Sequence, residues 1–283
     1  MNIILVDTSY TTFYRFFATM RWLSLAKKEI YKEHKADPSY DWSDNEIFME
    51  KYKKMYLEGI KKLVKRKLFD SSILIFCKDC PQADIWRNEL YCEYKGNRPD
   101  LTKKHNYKPV FKYTYETLLP DIVNDDNKRY IIQEPSIESD DIIALCVKYL
   151  KKNHKNANMN IISGDKDFYQ LGSKNVSIYD YRKKEPLNFT KEEALNELKL
   201  KIINGDCSDN IPSIFPKELK ISNKRKKQIR EDDNILLEYL DEYPKANEIY
   251  QKNKLLIDFN EIPKKFHQKV FSKIKVIIDN IYT

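Results

Sequence analysis

Short apolar runs that end on acidic residues recur along the chain and set its rhythm. Ile3-Ile4-Leu5-Val6 ends at Asp7, and Ser72-Ile73-Leu74-Ile75-Phe76 passes through Cys77-Lys78 to Asp79. Arg129–Gln133 leads through Pro135 to Glu138, and Met159-Asn160-Ile161-Ile162-Ser163 is followed by Gly164 and Asp165. Runs this short read as buried strands, with Val176–Tyr179 a fifth. Helical patterns alternate with them. Tyr10–Leu25 is rich in rings (Tyr10, Phe13, Tyr14, Phe16, Phe17, Trp22), and most of these serve core packing. Ser43-x-x-Glu46 forms a capping box for a helix reaching about Lys67. Asp84–Tyr91 also reads as helix, while polar Glu29–Asp44 with Pro38 reads as a loop or insertion. Ile142, Ile143, Leu145, Cys146, Tyr149 and Leu150 form one apolar stripe. The alternation predicts an α/β fold: a mainly parallel central sheet with helices on both faces.

Past Thr190-x-x-Glu193, which caps a helix to about Asn204, no comparable strand series follows. The remainder reads as helical: a basic segment Lys217–Arg230, helices at 234–241 and 244–253, and an amphipathic helix after Pro263. We therefore expect a core at 1–203 and a helical region at 204–283.

Charge adds to this picture. The 283 residues carry 51 Lys+Arg against 43 Asp+Glu, a net charge of +8. Bases gather at 61–67, 95–112 and 217–230, whereas many acids sit at strand ends. Basic stripes around an acidic centre suit a polyanion held beside bound cations. No apolar run reaches the roughly 18–20 residues of a membrane span, and the start lacks a basic n-region and cleavage site, so an intracellular, non-secreted protein is expected. Five cysteines suit a reducing compartment, and Cys77-x-x-Cys80 lacks the partners of a zinc site. Neither GxGxxG nor GxxxxGK[ST] occurs, and Asp7-Thr8-Ser9 lacks the second Asp of a DxD phosphatase loop.

The densest chemistry lies in Ile137–Asp167, with Glu138-Ser139-Asp140-Asp141 and Gly164-Asp165-Lys166-Asp167. Acids in a first helical turn favour the positive end of the helix dipole, so capping explains the first group. Acids beyond a parallel strand lie where open α/β sheets place ligands, so a metal site explains both groups. Asp206 and Asp209 have the same two readings: a turn with an Asp cap, or one ligand-bearing face. Lys103–Lys112, with His105, Tyr107, Phe111, Tyr113 and Tyr115 interleaved or close by, is either a solvated helix with a packed face or an electropositive element over a nucleic-acid strand.

Several motifs in order resemble the FEN-type structure-specific 5′ nucleases: flap endonucleases, phage 5′–3′ exonucleases and the 5′-nuclease domain of bacterial DNA polymerase I. They are Val6-Asp7-Thr8-Ser9, Asp79, Tyr94-Lys95-Gly96-Asn97-Arg98, Glu138-Ser139-Asp140-Asp141, Gly164-Asp165-Lys166-Asp167 and Gly205-Asp206-Cys207-Ser208-Asp209-Asn210-Ile211-Pro212. Leu255–Phe259 with Ile262-Pro263 looks like the end of the phage and bacterial branch. The resemblance implies a PIN-like nuclease core and two Mg²⁺ ions, with Mn²⁺ able to substitute. Asp7, Asp79, Glu138 and Asp140 match the tighter site, and Asp141, Asp165, Asp167, Asp206 and Asp209 the looser one. Asp7, Glu138, Asp165, Lys95 and Arg98 match catalytic positions. Lys95 and Arg98 would meet the scissile phosphate, with Arg87 assisting and Tyr94 stacking on a terminal base. Residues 94–120 would form an arch or clamp. Lys103, Lys104, Lys217, Lys224, Arg225, Lys226 and Lys227 are further candidates for DNA contact. The segment Ser213–Lys220 has no glycine where the family carries a Gly-rich hairpin, which puts K⁺ binding in doubt.

The implied activity is metal-dependent cleavage near 5′ ends of flapped, nicked or branched DNA in replication or repair, with RNA–DNA hybrids as a further substrate. The expected state is a monomer, with replication proteins as candidate partners. Two alternatives stay open: a PIN-type ribonuclease and a catalytically inactive branched-DNA scaffold.

Overall fold

The computed structural model describes residues 1–282, with the side chains of Lys103, Lys217, Ile281 and Tyr282 outside the description. The chain begins β1 (Asn2–Asp7), α1 (Thr8–Ala26), α2 (Lys28–His34), α3 (Glu46–Val64), α4 (Arg66–Asp70), β2 (Ser72–Lys78), α5 (Arg87–Leu90), α6 (Lys108–Tyr113), α7 (Leu119–Asn124) and β3 (Arg129–Gln133). It continues α8 (Ser139–Asn153), β4 (Asn158–Ile162), β5 (Val176–Tyr179), β6 (Leu187–Asn188), α9 (Lys191–Asn204), α10 (Asn223–Glu231), α11 (Asp233–Glu242), α12 (Pro244–Ile257) and α13 (Lys264–Tyr282).

The strands form one sheet in the order β3-β2-β1-β4-β5-β6. Every neighbouring pair is parallel except β5–β6. β1 is fully covered because its two faces feed two cores. Ile3 and Leu5 join Ile143 and Cys146 of α8 and Val270 and Ile274 of α13. Ile4 and Val6 join Phe16 of α1 and Tyr52, Tyr56 and Ile60 of α3. Burial on both sides explains why the strand reads as an unbroken apolar run. The register places Asp7 opposite Cys77 of β2 and Val6 opposite Ile162 of β4. The segments carrying Asp79 and Asp165 therefore leave the sheet on either side of Asp7. The chain fills one side of β1 with β2 and β3 and the other with β4 and β5, so this edge is a switch point of the topology.

Packing divides the chain differently from the expected boundary at 203/204. A smaller core joins Ile203 of α9 to Ile229, Leu236, Leu240 and Ala246 of α10–α12. α13, by contrast, returns to the sheet and buries Phe266, Val270, Ile274 and Ile278 beside α8. The apolar stripe of a terminal helix does not reveal which core it will cover. Other differences are local. The 29–44 segment contains α2, and α3 is capped by Asn45, whose side chain accepts from Phe48 N at 2.9 Å, instead of by Ser43. The 84–91 stretch shortens to a 3₁₀ turn at Gln82–Asp84 and the single turn of α5.

Candidate active site

Each acid at the sheet edge is aimed by the turn that carries it. Asp7 ends β1 and caps α1, so its carboxylate turns back toward the helix N-terminus, and Oδ1 accepts from Tyr10 N at 3.1 Å. Ser163 Oγ donates to its Oδ2 at 2.8 Å. Asp79 accepts from Ser139 N at 2.7 Å and from the Ser9 hydroxyl. Glu138 caps α8, while Asp165 caps the 3₁₀ turn Lys166–Leu171. Gly164 lets that turn close, since a Cβ there would meet the Tyr10 ring at 2.6 Å.

As a result Asp7, Asp79, Glu138, Asp140 and Asp165 line one cleft of about 300 Å³ together with Lys95 and Arg98. Burial, together with the neighbouring Asp79, pushes the Asp7 carboxyl up to about 7. Burial and Glu138 raise Asp140 well above the usual carboxylate range, and burial likewise raises Asp165. Carboxylates forced together in this way are relieved by protons or by a cation. The converging carboxylates offer oxygen donors, and the Cys80 thiol on the same wall is pushed up to about 12 by burial and so stays protonated, which fits a hard divalent ion better than a thiolate-loving one.

Lys95 stands at the back of the cleft. Its ammonium pairs with Glu138 and lies 3.9 Å from Asp209. Burial opposes its charge, but Glu138, Asp140 and Asp209 outweigh that and keep it protonated. Its backbone is left-handed (φ 58°) and its N–H donates to Asp209 O at 3.0 Å. A strained non-glycine residue held by its surroundings in this way marks a position the fold is built to keep. Arg98 donates to Asp209 Oδ1 at 2.6 Å, and Asn97 to Cys207 O at 2.8 Å, so the 94–98 loop is clamped onto the 206–210 turn.

A second acidic group forms next to the first. Ligand-capable oxygens of Asp167, Asp206 and Asp209 lie within 4.8 Å of one another. Gly205 (φ 68°) makes the turn into it, and a Cβ there would meet Ile211 O at 2.3 Å. Burial works against the charge of Asp206, yet Lys201 and Ser208 outweigh it and lower its pKa to about 2.

Three expected roles are corrected. Asp141 does not face the cleft. It is fully buried, accepts from Arg87 at 2.7 and 2.8 Å and from Trp86 Nε1 at 2.9 Å, and completes a capping box with Glu138. Arg87 is equally buried, pairs with Asp141 and with Glu138 at 3.1 Å, and so holds the floor of the site instead of DNA. Tyr94 is buried with its hydroxyl 3.1 Å from Glu138, which removes its ring from any base-stacking surface. Buried Arg–Asp pairs look like surface chemistry in a sequence because charge alone does not reveal depth.

The other basic candidates spread outward. Lys104 is exposed in the 94–120 segment. The rings of that segment pack on α1 (Phe13 to Phe111 4.6 Å, Phe13 to Tyr107 4.8 Å), so their packed-face reading holds. Lys224, Arg225, Lys226 and Lys227 lie on α10, with Lys226 over the Phe215 ring. The Lys103 and Lys217 side chains lie outside the described residues. Sequence reading missed Ser139, Ser163 and Lys201. Ser139 and Ser163 lie within the acidic stretches already singled out, whereas Lys201, in the last turn of α9 five residues before Asp206, carried no signal in its spacing.

Comparison with known proteins shows the family and the fold. Residues 2–199 match the family described as 5′-3′ exonuclease, N-terminal resolvase-like domain. The chain is 27% identical over 208 residues to a 5′-3′ exonuclease of Aquifex aeolicus, covering 68% of this chain and 65% of that protein. It is 27% identical over 126 residues to the flap endonuclease Xni of Psychromonas ingrahamii, covering 44% of this chain and 42% of the relative. The matches thus span less than two thirds of these relatives. Among solved structures, a T5 5′-exonuclease with bound zinc shares the fold (TM-score 0.63, 18% identity, 98% of this chain and 99% of that one). So does a bacteriophage T5 flap endonuclease in a pseudo-enzyme-product complex with DNA and metal ions (TM-score 0.62, 18% identity, 99% of this chain and 100% of that one). With 198 consecutive residues matched, the chain belongs to the 5′-3′ exonuclease family defined by the N-terminal resolvase-like domain.

Proposed function

We propose that the protein hydrolyses phosphodiesters near the 5′ ends of flapped, nicked or branched DNA, with two Mg²⁺ ions that Mn²⁺ can replace. The observation that carries this reading is the convergence of five carboxylates from four separate segments on one cleft with Lys95 and Arg98. Asp7, Asp79, Glu138 and Asp140 would hold the first ion, and Asp167, Asp206 and Asp209 the second, with Asp165 beside both. Such ions, when bound, polarise a phosphoryl oxygen and lower the pKa of water. The chain's own contribution is orientation and charge. Ser9, Ser139 and Ser163 fix the faces of Asp79 and Asp7. Lys95, kept charged at the cleft wall, offsets negative charge building on the phosphate, and Arg98 supports it from the rim. Lys104 and the α10 bases supply backbone attraction that weakens with salt. Cleavage of RNA–DNA hybrids, action as a monomer, an intracellular site and contact with replication proteins belong to the same reading.

Incubation with end-labelled 5′-flap DNA and Mg²⁺ tests it. The expected result is a short 5′ product that disappears with chelator and in Asp165→Asn. Intact flap, nick and blunt substrates after incubation in both Mg²⁺ and Mn²⁺ would refute it.

A further inference from the structure

We propose that Lys201 is a built-in counter-cation of the second carboxylate group, and that a divalent ion enters there only by displacing its ammonium. The inference deepens the two-ion reading above and rests on it. Lys201 Nζ contacts Asp167 Oδ1 and lies 2.8 Å from Asp206 Oδ2. Three carboxylate oxygens within 4.8 Å of one another leave room for one cation, and the ammonium is already placed against two of the three residues. The lysine is held there: it stands in the last turn of α9, its side chain is 18% exposed, and α9 packs on α12 and the 3₁₀ turn that carries Asp167. Arg98 neutralises the third carboxylate, Asp209, from the other side.

The first group is built differently. Asp7 is bonded by Tyr10 N, Ser139 Oγ and Ser163 Oγ, and Asp79 by Ser9 Oγ and Ser139 N, all neutral donors. Lys95 approaches that group from its Glu138 side. An ion can therefore join Asp7 and Asp79 without breaking an ion pair, while its Glu138 contact competes with Lys95 and Arg87; at Asp167 and Asp206 it must displace one ammonium from both carboxylates. A divalent ion brings twice the charge and more ligand positions than an ammonium's three N–H donors, so it can win, but at higher concentration. Lys201 thereby gives a physical cause for the looser binding that the family resemblance implies for the second group.

Mn²⁺ titration followed by electron paramagnetic resonance, on the full chain without nucleic acid, tests this. Wild type should show one tight and one weak step. In Lys201→Met the second step should tighten about tenfold, with the first unchanged to within about twofold. Lys201→Arg should keep the weak second step. A second step that is unchanged or weakened in Lys201→Met overturns the proposal. Wild-type protein provides a second measurement that needs no variant. Acetylation of Lys201, followed by mass spectrometry, should accelerate several-fold as the second step saturates and not across the first; constant reactivity overturns the proposal. Because no DNA is present, a failed flap assay with a positive titration would sink the nuclease reading alone.

Discussion

Replacing Arg87 by Met tests whether the floor of the cleft is held by a buried ion pair. The substitution keeps a long side chain but deletes the charge. Arg87 is 2% exposed and Asp141 0%. The guanidinium donates to Asp141 at 2.7 and 2.8 Å, to Glu138 at 3.1 Å and, through Nε, to Leu256 O at 2.8 Å. Removing it leaves Asp141 with Trp86 Nε1 at 2.9 Å and Glu138 N at 3.3 Å as its donors. Breaking one side of a buried pair costs about 3–5 kcal/mol, because the surviving charge stays out of water. For a protein of this size that corresponds to a fall in Tm on the order of 10 °C. Removing both charges is far milder, since it also removes the penalty of burying them. Arg87→Met/Asp141→Leu should therefore recover at least about 2 kcal/mol of the single variant's loss, even though Trp86 N–H is left unpaired at a cost of about 1 kcal/mol. Calorimetric melting and urea unfolding in chelator measure both variants. A single variant within about 1 kcal/mol of wild type, or a double variant as unstable as the single, would refute the assignment.

Three further outcomes follow from the same geometry. Ser163→Ala deletes the donor to Asp7 Oδ2 and should weaken the tight Mn²⁺ step by about 10- to 100-fold; an unchanged titration would remove Ser163 from the site. Lys95→Met should lower the cleavage rate by about 10²–10³ while flap DNA still binds, and full activity would show that the ammonium does not serve the phosphate. In chelator, Asp7 with a folded pKa of about 7 against an ordinary 3.8 binds more protons folded than unfolded, so its contribution to stability is complete below pH 3.8 and lost as pH rises through about 7. Tm should thus fall from pH 5 to pH 8 in wild type and flatten in Asp7→Asn, and identical slopes would contradict the coupling.

Strand positions and the acids at their ends were legible in the sequence, because a strand buried on both faces must be apolar throughout and its end is marked by the first charge. The Thr190–Glu193 cap was legible because its spacing is local geometry, although the same spacing at Ser43–Glu46 pointed to a cap that Asn45 supplies instead. The motifs around Asp7, Asp79, Glu138 and Asp165 even named the residues that meet. Depth was not legible. Asp140 and Asp141 are neighbours in the chain, yet one lines the cleft and the other is sealed beneath it by Arg87 and Trp86, since successive helical residues point about 100° apart. Nor could spacing show that Lys201 would enter the Asp167–Asp206 group, or that α13 would return to the sheet. Those outcomes depend on which distant surfaces dock, and docking is decided by the summed packing of the whole chain and not by any local stretch of it.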